Sequence, residues 1–84
     1  MSDRLSILDK VRKYISDSTF ADKTKITDEI LIFREGFLDS MGFVSIITFL
    51  ENDFGIAINE VDLAEENFES INAIVSFIMT KKAA

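Results

Sequence analysis

Apolar residues recur at helical spacing in three stretches of the chain. Leu5, Leu8, Val11, Tyr14 and Ile15 are separated by threes and fours, with Arg4, Asp9, Lys10, Arg12 and Lys13 between them. That spacing gathers the apolar set on one helical face, so the pattern predicts an amphipathic helix over 3–17, started by Ser2 or Asp3 as N-cap. Phe43, Ile46, Ile47, Leu50 and Phe54 form the strongest stripe. They predict a helix over 40–53, opened by Asp39 and stopped by Gly55, with Ile47 and Leu50 facing inward. Ile71, Ile74, Val75 and Ile78 predict a last helix over 71–81, capped by Ser70, with Lys81 and Lys82 at its negative end.

Between these stretches the periodicity lapses. Residues 18–39 hold turn formers and caps (Thr19, Thr24, Thr27, Asp28) and the apolar run Ile30-Leu31-Ile32-Phe33, which reads as a long loop tied to the core by its own side chains. Thr27-Asp28-Glu29 suggests a short turn of helix within it. Ile56 and Ile58 alternate with polar neighbours, but no second strand is available to pair with them, so they read as an extended loop burying two isoleucines. Asn59 then caps a short third helix over 60–65, with Val61 and Ala64 turned inward, and Phe68 anchors the following turn. The pattern as a whole predicts an all-α fold, a four-helix antiparallel bundle with a long loop between helices 1 and 2 and a short helix 3. At 84 residues the chain is expected to be one domain, 1–84.

Composition narrows the chemistry. There is no Cys, no His and no Pro. Disulfides, Cys/His zinc sites and His-based general base catalysis are therefore absent from the repertoire, and no spacing of acids matches a calcium loop. Neither a catalytic residue nor a metal site is predicted. The N-terminal MSDRLSILDK is too charged for a signal sequence, and the low-charge run Ser40–Leu50 is far short of the roughly 20 residues that cross a bilayer. These features predict a cytoplasmic protein that does not insert into membranes.

The net charge is −6, and it is unevenly distributed. Residues 35–80 carry nine acids and no Lys or Arg, which leaves +3 on the rest of the chain. Such a surface repels nucleic acid and anionic membranes and suits partners with basic patches; it also serves simple solubility.

Ser40 is the one candidate for chemistry. It opens the second helix after the long loop, where free N–H groups favour an anion, so a phosphate ester on its hydroxyl would be well placed. It is not a nucleophile in its own right, because no base accompanies it among Phe37, Leu38, Asp39, Met41 and Gly42. The local pattern leaves two readings: a serine modified by another enzyme, or a serine that merely belongs to a helix cap.

Three landmarks resemble the acyl carrier protein family. Phe37-Leu38-Asp39-Ser40-Met41 is similar to the Asp-Ser-Leu-type attachment motif at the start of the family's second helix. Leu50-Glu51-Asn52-Asp53-Phe54-Gly55-Ile56 is similar to its Leu-Glu-x-x-Phe-Gly-Ile stretch, and Phe68-Glu69-Ser70-Ile71 to the start of its last helix. The resemblance spans nearly the whole chain. It implies that Ser40 carries 4′-phosphopantetheine, whose thiol holds an acyl or aminoacyl group as a thioester. It further implies that Asp39 helps a phosphopantetheinyl transferase recognise the site and that Met41 and Val44 give partners an apolar contact; the acids, Glu60 and Asp62 among them, are expected from their charge to add electrostatic steering.

The implied partners are that transferase, an acyl- or aminoacyl-adenylating ligase, and a downstream synthase or transferase. The carrier itself is expected to be a monomer and no enzyme. Met41 stands where the family commonly has Leu, Gly42 weakens the helix by about 1 kcal/mol relative to Ala, and no acid lies between Ser40 and Glu51 where fatty acid carriers usually have them. These departures point to a stand-alone carrier of a specialised pathway rather than housekeeping fatty acid synthesis. A D-alanyl or peptidyl carrier is the alternative, and an acidic helical interaction module without a prosthetic group is the reading from a different class.

Overall fold

The computed structural model describes residues 3–18, 26–36 and 38–83. Helix α1 runs Asp3–Ser18, α2 Ser40–Phe54, α3 Glu65–Phe68 and α4 Ile71–Ala83, with a 3-10 turn at Glu60–Asp62. The fold is all-helical, and no strand occurs among the described residues. Ser2, Thr19, Thr24 and Phe37, and the side chain of Asp3, lie outside what is described, so the expected cap of α1 and those loop positions are left aside.

The core is built mainly from aliphatic side chains. Val11 and Ile15 of α1 share one buried cluster with Ile71, Ile74, Val75 and Ile78 of α4, all at most 1% exposed, and these two helices approach each other closely. From α2 only Ile46 and Leu50 are fully buried; Phe43, Ile47 and Phe54 of the predicted stripe are half-buried. Ile46 and Ile47 both belong to the predicted stripe; Ile46 is fully buried, while Ile47, expected to face inward, is half-buried against the core. The stripe is narrower than its spacing suggests because α2 has core on one edge only and leaves the flanks of its apolar face partly in solvent.

The loop before α2 is fastened by its own residues, as its apolar run predicts. Ile26 and Ile32 are buried. The Ile32 N–H donates to the Glu69 carbonyl (3.0 Å), and the Leu38 N–H donates to the Ile32 carbonyl (3.2 Å). Asp28 ties three elements together. Its carboxylate accepts from Arg12 Nη2 of α1 at 2.6 Å, and its carbonyl accepts from the Asn72 N–H of α4 at 2.8 Å. Asp28 holds the Arg12 pKa above its ordinary value, first by that hydrogen bond and then by its charge.

Beyond α2, Gly55 takes the left-handed conformation (φ 63°, ψ 33°) that stops a helix, the role its position predicts. Ile56 and Ile58 follow in a non-helical, non-strand segment and are half-buried. Its backbone is served without a partner strand, because the Ile58 N–H donates to Glu51 Oε2 at 3.1 Å.

The third helix differs from expectation. Instead of a helix over 60–65, the chain forms the 3-10 turn Glu60–Asp62, leaves helical geometry at Ala64 (φ −77°, ψ 138°), and makes one α turn at Glu65–Phe68. The cause lies at Asp62. Its carbonyl accepts the Asn67 side-chain N–H at 2.9 Å instead of continuing a helical ladder. Its carboxylate accepts the Asn59 N–H at 2.9 Å and Lys81 Nζ at 2.8 Å. The turn is thereby closed and rotated so that Val61, expected to face inward, is 85% exposed.

Candidate functional site

The site is centred on the start of α2. Asp39, in extended geometry, is its N-cap: Oδ1 accepts the Gly42 N–H at 3.0 Å, and its carbonyl accepts the Phe43 N–H at 3.0 Å. That leaves the first-turn N–H groups of Ser40 and Met41 with no partner among the described residues, the arrangement in which a helix terminus favours an anion. Ser40 is exposed. Its hydroxyl makes no hydrogen bond within the described residues. Several other hydroxyls are engaged. Ser18, Thr48 and Thr80 donate back to carbonyls of their own helices, and Ser70, buried, caps α4 by accepting the Ala73 N–H at 3.1 Å.

Beside Ser40 lies an open cleft of about 600 Å³, formed where α2 faces the loop and α3. Phe33, Leu38, Phe43, Leu63 and Phe68 give it an apolar lining, and Asp39, Ser40 and Glu65 are its polar members. The predicted pair Asp39 and Ser40 is thus joined by residues that the periodicity did not single out for the site: Phe33 and Leu38 from the loop, and Leu63, Glu65 and Phe68 from the segment around α3. For Phe33 and Leu63 the only sequence signal was apolar character, which equally describes core; Leu38 and Phe68 stood in the family landmarks without a role at the site, and Glu65 counted only as one of the acids.

Gly42 has a specific role here. A Cβ at this position would meet Leu38 Cβ and Cδ2 at 3.1 Å, tighter than ordinary van der Waals contact. The residue that weakens the helix is the one that lets Leu38, only 8% exposed, lie against its first turn.

Of the residues expected to meet partners, Met41 (73%) and Val44 (59%) are strongly exposed on α2. Glu60 is exposed on the 3-10 turn. Asp62 is placed differently. Its side chain is only 18% exposed and is paired with Lys81, which lowers its pKa through that hydrogen bond first and the Asn59 N–H second. Its charge is largely answered inside the molecule. Val61 is an exposed apolar residue that the sequence pattern missed, since its spacing assigned it to the core.

No helix among the described residues is long and apolar enough to cross a membrane. A family model described as "Phosphopantetheine attachment site" matches residues 9–78. The chain is 30% identical over 81 residues to an acyl carrier protein of Thermotoga maritima, covering 96% of this chain and 98% of that one. It is also 34% identical over 74 residues to a D-alanyl carrier protein of Streptococcus mutans, covering 88% of this chain and 92% of that one. With a D-alanyl carrier protein of Bacillus velezensis it shares 36% identity over 55 residues, 66% of this chain and 70% of that one.

Proposed function

The chain belongs to the phosphopantetheine attachment site family, and on that premise we propose that Ser40 is the residue that carries the arm. As a member of the acyl carrier family, the protein is a carrier and not itself a catalyst, and its cofactor is covalently attached 4′-phosphopantetheine. The cofactor's terminal thiol supplies what a chain without cysteine lacks, a group that can hold an acyl or aminoacyl unit as a thioester.

The observation that carries the Ser40 reading is the combination of an exposed hydroxyl with two N–H groups in the same helical turn, none of which has a partner among the described residues. The hydroxyl is accessible to a transferase, and the N–H groups of Ser40 and Met41 suit the negative charge that a phosphodiester brings. Asp39 fixes that geometry by capping Gly42. Phe43 and Leu63 border the cleft into which an arm rooted at Ser40 would be received.

The proposal extends to the pathway and partners. Helix α2 presents Ser45 and Thr48, both exposed, where an acidic carrier would present carboxylates, and no acid lies between Ser40 and Glu51. This supports a stand-alone carrier of a specialised pathway, loaded by an adenylate-forming ligase that contacts Met41 and Val44. Glu60, Glu65 and Glu66, all exposed, supply the long-range steering, with Asp62 contributing less because Lys81 neutralises it. A D-alanyl carrier is the second reading, favoured by the names of the Bacillus velezensis and Streptococcus mutans relatives.

Incubation with coenzyme A and a broad-specificity phosphopantetheinyl transferase tests the attachment. One arm is expected by intact-protein mass spectrometry, and none on Ser40→Ala. An arm that survives the substitution would overturn the assignment. No arm on the wild-type chain would favour the plain interaction module.

A further inference from the structure

The cleft beside Ser40 ends on aromatic rings. Phe43 of α2 meets Phe68 of α3 edge-on, with centroids 5.4 Å apart and planes at 89°. It meets Phe33 of the loop at 5.6 Å and 75°. Phe68 is 1% exposed and packs on Phe77 of α4 at 5.1 Å. Phe68, which lines the cleft, and Phe77 behind it belong to the same buried cluster as Ile46, Ile71 and Ile74. On the loop side Leu38 closes against Gly42 with no slack. A row of four rings and one leucine therefore stands between the cleft and the aliphatic interior.

We propose that this row is a size filter on the carried group: whatever Ser40 carries stays on the outer side of Phe43 and Phe68, and the cargo is a short acyl or aminoacyl unit. The inference rests on the attachment reading of Ser40. A long aliphatic chain bound to this carrier would have to part Phe43 from Phe68 to reach the core, giving up ring contacts on both sides, since close-packed interiors do not yield space without rearrangement. If it remained outside, the open cleft would cover only its first part, and each methylene beyond the cleft would lie in water, where apolar area left exposed is unfavourable in proportion to its size. A short or charged unit meets neither difficulty. Phe43 is the specificity-determining residue, because it contacts Phe33 and Phe68 at once and lies at the half-buried face of the row.

The test loads the full chain with acetyl-, butyryl-, octanoyl- and myristoyl-phosphopantetheine from the matching coenzyme A thioesters, and intact mass confirms loading before anything else is read. Failure to load, or loading that persists on Ser40→Ala, is a failure of the attachment reading and is seen at this step. On loaded protein, two quantities are measured: the thermal unfolding midpoint and the rate of thioester cleavage by hydroxylamine. An interior chain would raise the first and slow the second, because it binds only the folded state.

For the wild-type protein both are expected to be independent of chain length, with cleavage rates within about two-fold across the series. Phe43→Ala is expected to introduce length dependence, with octanoyl cleavage slowed about tenfold relative to acetyl. Phe43→Leu, which keeps more of the packing, is expected to show the same trend more weakly and guards against simple unfolding of the alanine variant. Length-dependent protection in the wild-type chain would overturn the filter. So would a wild-type series without length dependence that stays so in both variants, since Phe43 would then not be what excludes the chain.

Discussion

The two sides of this molecule are packed by different means. On one side, α1 and α4 lie close together, joined by Val11, Ile15, Ile74, Val75 and Ile78, whose exposures are 0–1%. Aliphatic branched side chains allow that approach, and Asp28 cross-links the pair through Arg12 and Asn72. On the other side, α2 buries only Ile46 and Leu50 completely. It is held out from its neighbours by rings. Phe43 reaches Phe68 and Phe33, and Phe49 stacks on Tyr14 at 4.2 Å and 12° while meeting Phe54 edge-on. The rest of its apolar surface, Met41 and Val44, faces solvent. The difference teaches where function sits. Most of the buried apolar side chains belong to α1 and α4, and α2, which contributes Ile46 and Leu50, is free to expose other apolar side chains to partners because the core does not need them.

The sharpest test of that division is Ser40→Ala. It should remove attachment of the arm completely while leaving the unfolding midpoint in denaturant unchanged, since the hydroxyl makes no described bond. A large loss of stability would mean that Ser40 belongs to the scaffold. Next come core truncations. Ile74→Ala and Leu50→Ala should each cost about 2–5 kcal/mol by chemical denaturation. Ile47→Ala, at a half-buried position, should cost distinctly less, about 1–2 kcal/mol. Equal costs for Ile46→Ala and Ile47→Ala would show that α2 is buried more evenly than the two sides described above require.

The Asp62–Lys81 pair joins α4 to the turn beside the site and has a signature in pH. The Asp62 pKa is lowered in the folded state, chiefly by the hydrogen bond from Lys81. Its contribution is therefore complete above the ordinary carboxylate range and is lost as pH falls through the ordinary pKa to the lowered one. Asp62→Asn should be less stable than wild type near neutral pH, and the gap in thermal midpoint should close on acidification. A gap that persists unchanged at low pH would assign the effect to packing rather than charge.

Gly42→Ala offers a smaller effect of diagnostic sign. Exchanging Gly for Ala inside an ordinary helix gains about 1 kcal/mol. Here that gain should be missing or reversed, because the new methyl group meets Leu38 at 3.1 Å. A full gain in stability would show that Leu38 yields easily and is not a fixed wall of the cleft. Val44→Asp should be the quietest of all in denaturation, within about 0.5 kcal/mol, yet it should weaken loading by the cognate ligase at both low and high salt. Loss of loading at low salt alone would move the contact from α2 to the acids around α3.

The helices at both ends of the chain and α2 were legible from apolar spacing, because helical periodicity is a local property that each segment carries in its own sequence. The start of α2 at Asp39-Ser40 and its stop at Gly55 were legible for the same reason: a cap and a left-handed stop act within a few residues of the helix they end. Spacing did not reveal which edge of the α2 stripe is covered. Ile46 and Ile47 both fit a helical face, and only the placement of α1 and α4 decides between them. The segment 59–68 was least legible. Its conformation is set by Lys81, 19 residues away from Asp62, and by the Asn67 side chain taking the carbonyl that a longer helix would have used.

The residues alone determined an all-helical chain with one exposed serine suited to an anion at the head of its central helix. Tertiary structure decided the rest: that Val61 faces out, that Asp62 is spoken for, that Gly42 makes room for Leu38, and that Phe33, Phe43, Phe68 and Phe77 line up beneath the cleft. Each of these depends on side chains from separate elements competing for the same space or the same hydrogen bond. A linear pattern carries no information about such competition until the chain has folded.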